Sequence, residues 1–247
     1  MTTLAAVLLL FCGACVKGIL GVGLPMIAIP GLTLVLGLPT ALAIVALPVG
    51  LANAWQVWQF RRAAETKPIM PSFLSGGAAG VLIGTWALSS ISPEVLEAGL
   101  GLILIVYLGL QLGRSDLALP MGAAIRLAPA TGFAAGFLHG ATGISSPVGV
   151  TYFHAMRLRR PAFVFSTGAM FLGFTVVQIP ALIASGLLDG PRLAASAATL
   201  PAVALGLWAG NRAAAYVDAR FFDRMILAVL LVTAISLLWQ SMPHLLG

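Results

Sequence analysis

Long stretches of this chain, among them 18–60, 68–93, 161–188, 193–211 and 225–243, run without a single Asp, Glu, Lys or Arg. Each is long enough for at least one helix across a hydrocarbon core of about 30 Å, which takes roughly 20 residues. Lipid offers a bare peptide group no hydrogen bond, so only helices or closed barrels cross it. Apolar runs without strand-like alternation select helices. The sequence therefore predicts an all-α integral membrane protein. Thirteen Lys and Arg and seven Asp and Glu among 247 residues point the same way, because a soluble domain uses about one charged residue in four.

The opening stretch Met1–Gly18 resembles a signal peptide only in its apolarity. It lacks a basic leading region and its hydrophobic pattern continues beyond it, so it reads as a retained first segment. The net charge of +6 does not signal nucleic acid, because the basic residues sit in short loops between apolar runs, where they set topology. Cys12 and Cys15 have a C-x-x-C spacing, but inside an apolar segment without a second pair they read as small packing residues. No metal and no cofactor is expected.

Shifted by 122 residues, the sequence falls onto itself. Gly18, Gly21, Pro25, Pro39 and Gln56 meet Gly140, Gly143, Pro147, Pro161 and Gln178; Gly84 and Trp86 meet Gly206 and Trp208; Lys17 meets His139. Each half reads as five apolar segments: 4–21, 24–37, 40–60, 68–89 and 95–113, then 126–143, 146–157, 161–186, 192–211 and 222–242. Because five is odd, the second half should enter the membrane from the opposite side. With the loop of Arg61, Arg62 and Lys67 cytoplasmic, alternation also places Arg114, Arg126, Arg157, Arg159, Arg160, Arg212, Arg220 and Arg224 inside, as the positive-inside rule asks. Arg192, in an outer loop, and Lys17, within a segment, are the exceptions. The expectation is an inverted repeat of residues 1–122 and 123–247 forming one transport domain, in a bacterial-type inner membrane with both termini outside. Segments 24–37 and 146–157 are short; each either spans or re-enters as a hairpin with the segment before it, and parity is the same either way.

Inverted repeats with Gly/Pro-interrupted segments at matching places are a pattern of secondary transporters. The first interruption reads Lys17-Gly18-Ile19-Leu20-Gly21-Val22-Gly23-Leu24-Pro25 and the second His139-Gly140-Ala141-Thr142-Gly143-Ile144-Ser145-Ser146-Pro147. Glycine permits the turn, and proline suits the first turn of a new helix, where no amide hydrogen is needed. The helix start aims free amides and a positive dipole end at the turn, a ready place for an anion. Small residues serving tight helix packing are the plainer explanation of the same pattern.

Lys17 lies within a hydrophobic segment at a cost of at least about 2.5 kcal/mol on insertion scales, which makes it a functional candidate. Its reference pKa of about 10.4 describes a nearly permanent charge, whereas His139, near 6.5, can carry a coupling proton or simply donate one hydrogen bond. Asn53 and Gln56, and correspondingly Thr175 and Gln178, are three apart and share a helix face. They can bond a ligand, the hairpin backbone or a neighbouring helix. Trp55 and Trp58 read as interface anchors. The candidate substrate-binding set is Lys17, Gly21, Gly23, Pro25, Asn53, Gln56, His139, Thr142, Gly143, Ser145, Ser146, Pro147, Thr175 and Gln178.

At these residues the sequence resembles the TauE/SafE family of sulfite exporters and anion permeases. The likeness rests on the glycine-rich interruption ending at Pro25, the Pro39 to Gln56 segment with Pro48 and Asn53-Ala54-Trp55-Gln56, and the second interruption ending at Pro147; it extends over nearly the whole chain. It implies a secondary transporter, in the export direction, for sulfite, an organosulfonate or a related small anion. Alternating access at a midplane site between two opposed interruptions is the expected mechanism. A membrane enzyme is disfavoured, since the three histidines are scattered and the acids lie mainly at segment ends. A membrane assembly or chaperone protein without solute flux is the alternative. The partners expected are a small anion, the lipid bilayer and a coupling proton, with no nucleic acid and the oligomeric state open.

Overall fold

The structure is a computed structural model that describes residues 2–112, 118–214 and 216, with 231, 234–236, 238 and 239. Its described residues form helices and no strand. The helices are α1 (Thr2–Leu20), α2 (Leu24–Leu36), α3 (Leu38–Phe60), α4 (Met70–Ser90), α5 (Pro93–Leu112) and α6 (Met121–Thr142). There follow a π-helical turn (Ser146–Val150), α7 (Thr151–Ala155), α8 (Arg160–Ala184), α9 (Gly190–Ala198) and α10 (Leu200–Ala213). Five spans among the described residues, Leu38–Ala63, Met70–Ser90, Met121–Thr142, Arg160–Ala184 and Gly190–Ala213, are long and apolar enough to cross a membrane. Within the segment expected at 222–242, residues 231, 234–236, 238 and 239 are helical. The remainder, together with Arg114, Arg220 and Arg224, lies outside the described residues.

The helix ends follow from local chemistry. α1 stops where Gly21 (φ 83°) and Gly23 (φ 122°) take up positive dihedrals that side chains resist. Pro25 stands in the first turn of α2, where it forfeits no bond. α6 stops in the same way at Gly143 (φ 73°), whose N–H donates to the His139 carbonyl at 2.8 Å. At 1.5 Å per residue α2 rises about 20 Å and the stretch 146–155 about 15 Å, both short of the hydrocarbon core.

Without a hydrophobic force between helices in lipid, close backbone approach has to supply the attraction, and small residues allow it. The closest helix pairs are α4 with α6, α1 with α10, and α3 with α8. A methyl group at Gly80 or Gly84 would overlap the carbonyls of Phe133 and Phe137 on α6. On the other pair, Gly206 and Gly210 press against the carbonyls of Phe11 and Cys15 on α1. Matching packing partners are thus 122 residues apart between α1 and α6 and four more between α4 and α10, about one helical turn. The sequence pairing of Gly84 with Gly206 is therefore one turn away from the packing equivalence, Gly80 with Gly206.

α3 and α8 run antiparallel. Gly50 faces Thr175, while Gly168 faces Gln56, six residues further along α3. α3 contains Pro48, which has no N–H for the Ile44 carbonyl one turn back. The buried Ser196 hydroxyl of α9 donates to that carbonyl at 2.6 Å. The segment expected at 192–211 lies within the span Gly190–Ala213, which is interrupted at Thr199 into α9 and α10, with Pro201 in the first turn of α10.

Candidate functional site

The ammonium of Lys17 is buried, 4% exposed, in the last turn of α1. It donates to Asn53 Oδ1 at 2.7 Å, to Gln56 Oε1, and to the Gly21 carbonyl at 3.5 Å. All three acceptors are neutral. Among the described residues Arg159 pairs with Glu65 at the surface, and no carboxylate pairs with Lys17. A cation taken out of water and given only amide oxygens retains most of its field, and an anion at its side would offset the cost of burying it.

The positions of Asn53 and Gln56 are themselves fixed. Asn53 Nδ2 donates to the Val49 carbonyl one turn back at 2.7 Å. Gln56 Nε2 donates to the Gly21 carbonyl at 2.7 Å and to Val164 of α8 at 3.0 Å. Gln56 therefore ties the end of α1, α3 and the start of α8 together while its oxygen faces the ammonium. Asn53 and Gln56 share a helix face, and both side chains are occupied with Lys17 and with backbone.

A cavity of about 230 Å³ opens beside Lys17. Gly21, Gln56, Gln59, Arg160 and Asn211 bring polar groups to it, and Trp55 and Leu207 are among its apolar walls. The Arg160 guanidinium donates to the Ile19 carbonyl at 3.3 Å, closing the end of α1 against the start of α8. The cavity thus has two cations, Lys17 and Arg160, and the side-chain amides of Gln59 and Asn211 in its wall, a lining that suits an oxyanion with several acceptor oxygens.

His139 occupies the last turn of α6, 2% exposed, with its ring centroid 5.5 Å from Phe174 and 6.0 Å from Phe171. Its main-chain carbonyl accepts from Gly143 N–H and, at 3.0 Å, from Gln178 Nε2. Thr175 Oγ1 donates to Phe171 one turn back at 2.8 Å. Thr142 Oγ1 donates to Leu138 at 2.8 Å and accepts from Ile144 N–H at 3.3 Å. Ser145 and Ser146 are buried, and Pro147 stands in the first turn of the π-helical segment. Neither imidazole nitrogen nor the Ser145 hydroxyl has a hydrogen-bond partner among the described residues. A cavity of only about 10 Å³ lies here, with Pro25, His139, Gly143, Thr175 and Gln178 in its wall.

The structure gathers the candidate residues into two groups, each on one turn of the α3–α8 pair. Lys17, Gly21, Asn53 and Gln56 form one, with Gly23 three residues from Lys17's helix end. Pro25, His139, Gly143, Thr175 and Gln178 form the other, with Thr142, Ser145, Ser146 and Pro147 adjoining it in sequence. Lys17 lines the first cavity and His139 the second. Gln59, Arg160 and Asn211 were missed by the sequence reading. Gln59 carried a signal, since it lies three residues beyond Gln56 on the same face. Arg160 was absorbed into the topological charge count, and nothing local marked Asn211. Trp55, read as an interface anchor, is 56% exposed and also forms a wall of the Lys17 cavity.

No curated protein and no solved structure matches the chain. The family model described as sulfite exporter TauE/SafE matches residues 5–237, and with its apolar helices and buried cation the chain belongs to that family of multi-pass membrane anion transporters.

Proposed function

We propose that this protein exports a small sulfur-containing oxyanion, sulfite or an organosulfonate, by alternating access, and that the cavity beside Lys17 holds the anion. The observation that carries the reading is a buried ammonium whose described partners are all neutral oxygens. In a membrane such a charge is costly and is retained where it meets a substrate or ion.

Residues 1–122 and 123–247 act as two inverted halves of one transport domain. Three observations support this: the antiparallel packing of α3 on α8, the exchange of the α1–α10 pair with the α6–α4 pair under the repeat, and the repeated use of glutamine. Gln56 holds the Gly21 carbonyl after α1, and Gln178 holds the His139 carbonyl at the end of α6. The Arg159–Glu65 pair joins two loops that alternation assigns to one face, the cytoplasmic one. Both termini then lie outside a bacterial-type inner membrane. The cavity of about 230 Å³ beside Lys17 and the one of about 10 Å³ beside His139 are the open and closed faces of a site near the midplane, and they exchange as the halves rock. His139 carries the coupling proton.

The test is sulfite flux in proteoliposomes. The wild-type protein should move sulfite down its gradient, and the folded Lys17→Met variant should not. Absence of flux in the wild type, with the fold intact, would leave the assembly-protein reading instead.

A further inference from the structure

We infer that the site extends sideways into an apolar groove between α3 and α10, so that the protein accepts amphiphilic anions, alkyl sulfonates in particular, with the head at Lys17 and the tail in the groove. The inference rests on the reading of the Lys17 cavity as the anion site and names the substrate class that this cavity fits.

The groove is a second cavity, of about 460 Å³. Leu51, Leu200, Val203 and the ring of Trp208 are among its walls. Ala52, Trp55, Leu207 and Asn211 line both cavities. The two spaces therefore adjoin, with Lys17 and Arg160 at one end and aliphatic and indole surface at the other. Leu51, Trp55 and Trp208 are each more than half exposed.

Size and chemistry select the ligand. Sulfite has four heavy atoms, whereas the inner cavity has the volume of several waters at about 30 Å³ each. A sulfonate is a sulfite in which sulfur bears one carbon substituent, and the continuation of the cavity on the α3–α10 side is apolar. One anionic head with one apolar tail matches that arrangement of charge and apolar wall. A phospholipid carries its anion between two substituents, and its head would have to descend to a lysine that is 4% exposed.

The experiment is binding of methanesulfonate, propanesulfonate and hexanesulfonate to the full chain in phosphatidylcholine nanodiscs, corrected for uptake by empty nanodiscs. Transfer of a methylene out of water is worth about fourfold in affinity when fully buried and about twofold in a half-open groove, so the series should gain roughly thirtyfold. Ala204→Phe, which fills the groove from α10, should bring the hexanesulfonate-to-methanesulfonate ratio close to one. Equal affinities across the series, with methanesulfonate binding still dependent on Lys17, would overturn the groove and leave the anion site standing. A chain-length gain that survives Ala204→Phe, or that is independent of Lys17, would place the tail in bulk lipid and overturn it too. Failure of every probe to bind would remove the anion site itself.

Discussion

Lys17→Met keeps the length and apolar stem of the side chain and deletes its charge. An anion about 4 Å from an ammonium gains about 4 kcal/mol at an effective dielectric of roughly 20, and a charge-assisted hydrogen bond contributes about 1.5–3 kcal/mol net. A loss of about 2–4 kcal/mol of anion binding follows, or about 30- to 1000-fold in Kd. The fold should survive. Removing the charge recovers at least about 2.5 kcal/mol of insertion cost. Against that gain, Asn53 Oδ1 and Gln56 Oε1 lose their donor, about 1–3 kcal/mol for each acceptor left unsatisfied. These terms nearly cancel, so Tm should move by only a few degrees while affinity falls. Calorimetric titration of sulfite into the nanodisc-embedded wild type and variant, beside a thermal melt of each, separates the two effects. A folded Lys17→Met protein with wild-type affinity would refute the assignment, and a variant that fails to fold would instead make Lys17 a structural residue.

Gln56→Leu removes donors to Gly21 and Val164 and an acceptor for Lys17; it should destabilise by about 3 kcal/mol and slow flux, read as a lowered Tm with reduced uptake in proteoliposomes. On the reading of His139 as the proton carrier, His139→Ala should flatten the pH dependence of sulfite flux; an unchanged profile would leave His139 as a packing residue. Ser196→Ala strands the Ile44 carbonyl beneath Pro48 and should cost about 1–3 kcal/mol of stability with little effect on anion affinity, measured by denaturation and titration of the same sample. A periplasm-active reporter fused after Gly247 should be active and a cytoplasm-active one silent; the reverse would invert the assigned topology.

The sequence by itself determined the class and the places where the chain turns. Uncharged runs longer than a bilayer is thick leave a helix as the one local solution, and Gly21, Gly23 and Gly143 mark turns because few other residues tolerate their dihedrals. It also singled out Lys17, since a lysine within an apolar helix is conspicuous without knowledge of any neighbour. Only the tertiary structure decided what surrounds that lysine. Arg160 and Asn211 reach its cavity from more than 140 residues away in the chain. Ser196 meets the carbonyl that Pro48 orphans across a comparable distance. Periodicity and turn chemistry act over a few residues, so neither carries a record of such pairings. The one-turn displacement between α4 and α10 was hidden for a related reason: glycines recur every four residues on both helices, so a shift of four leaves the local pattern unchanged, and only the carbonyls they press against fix the register.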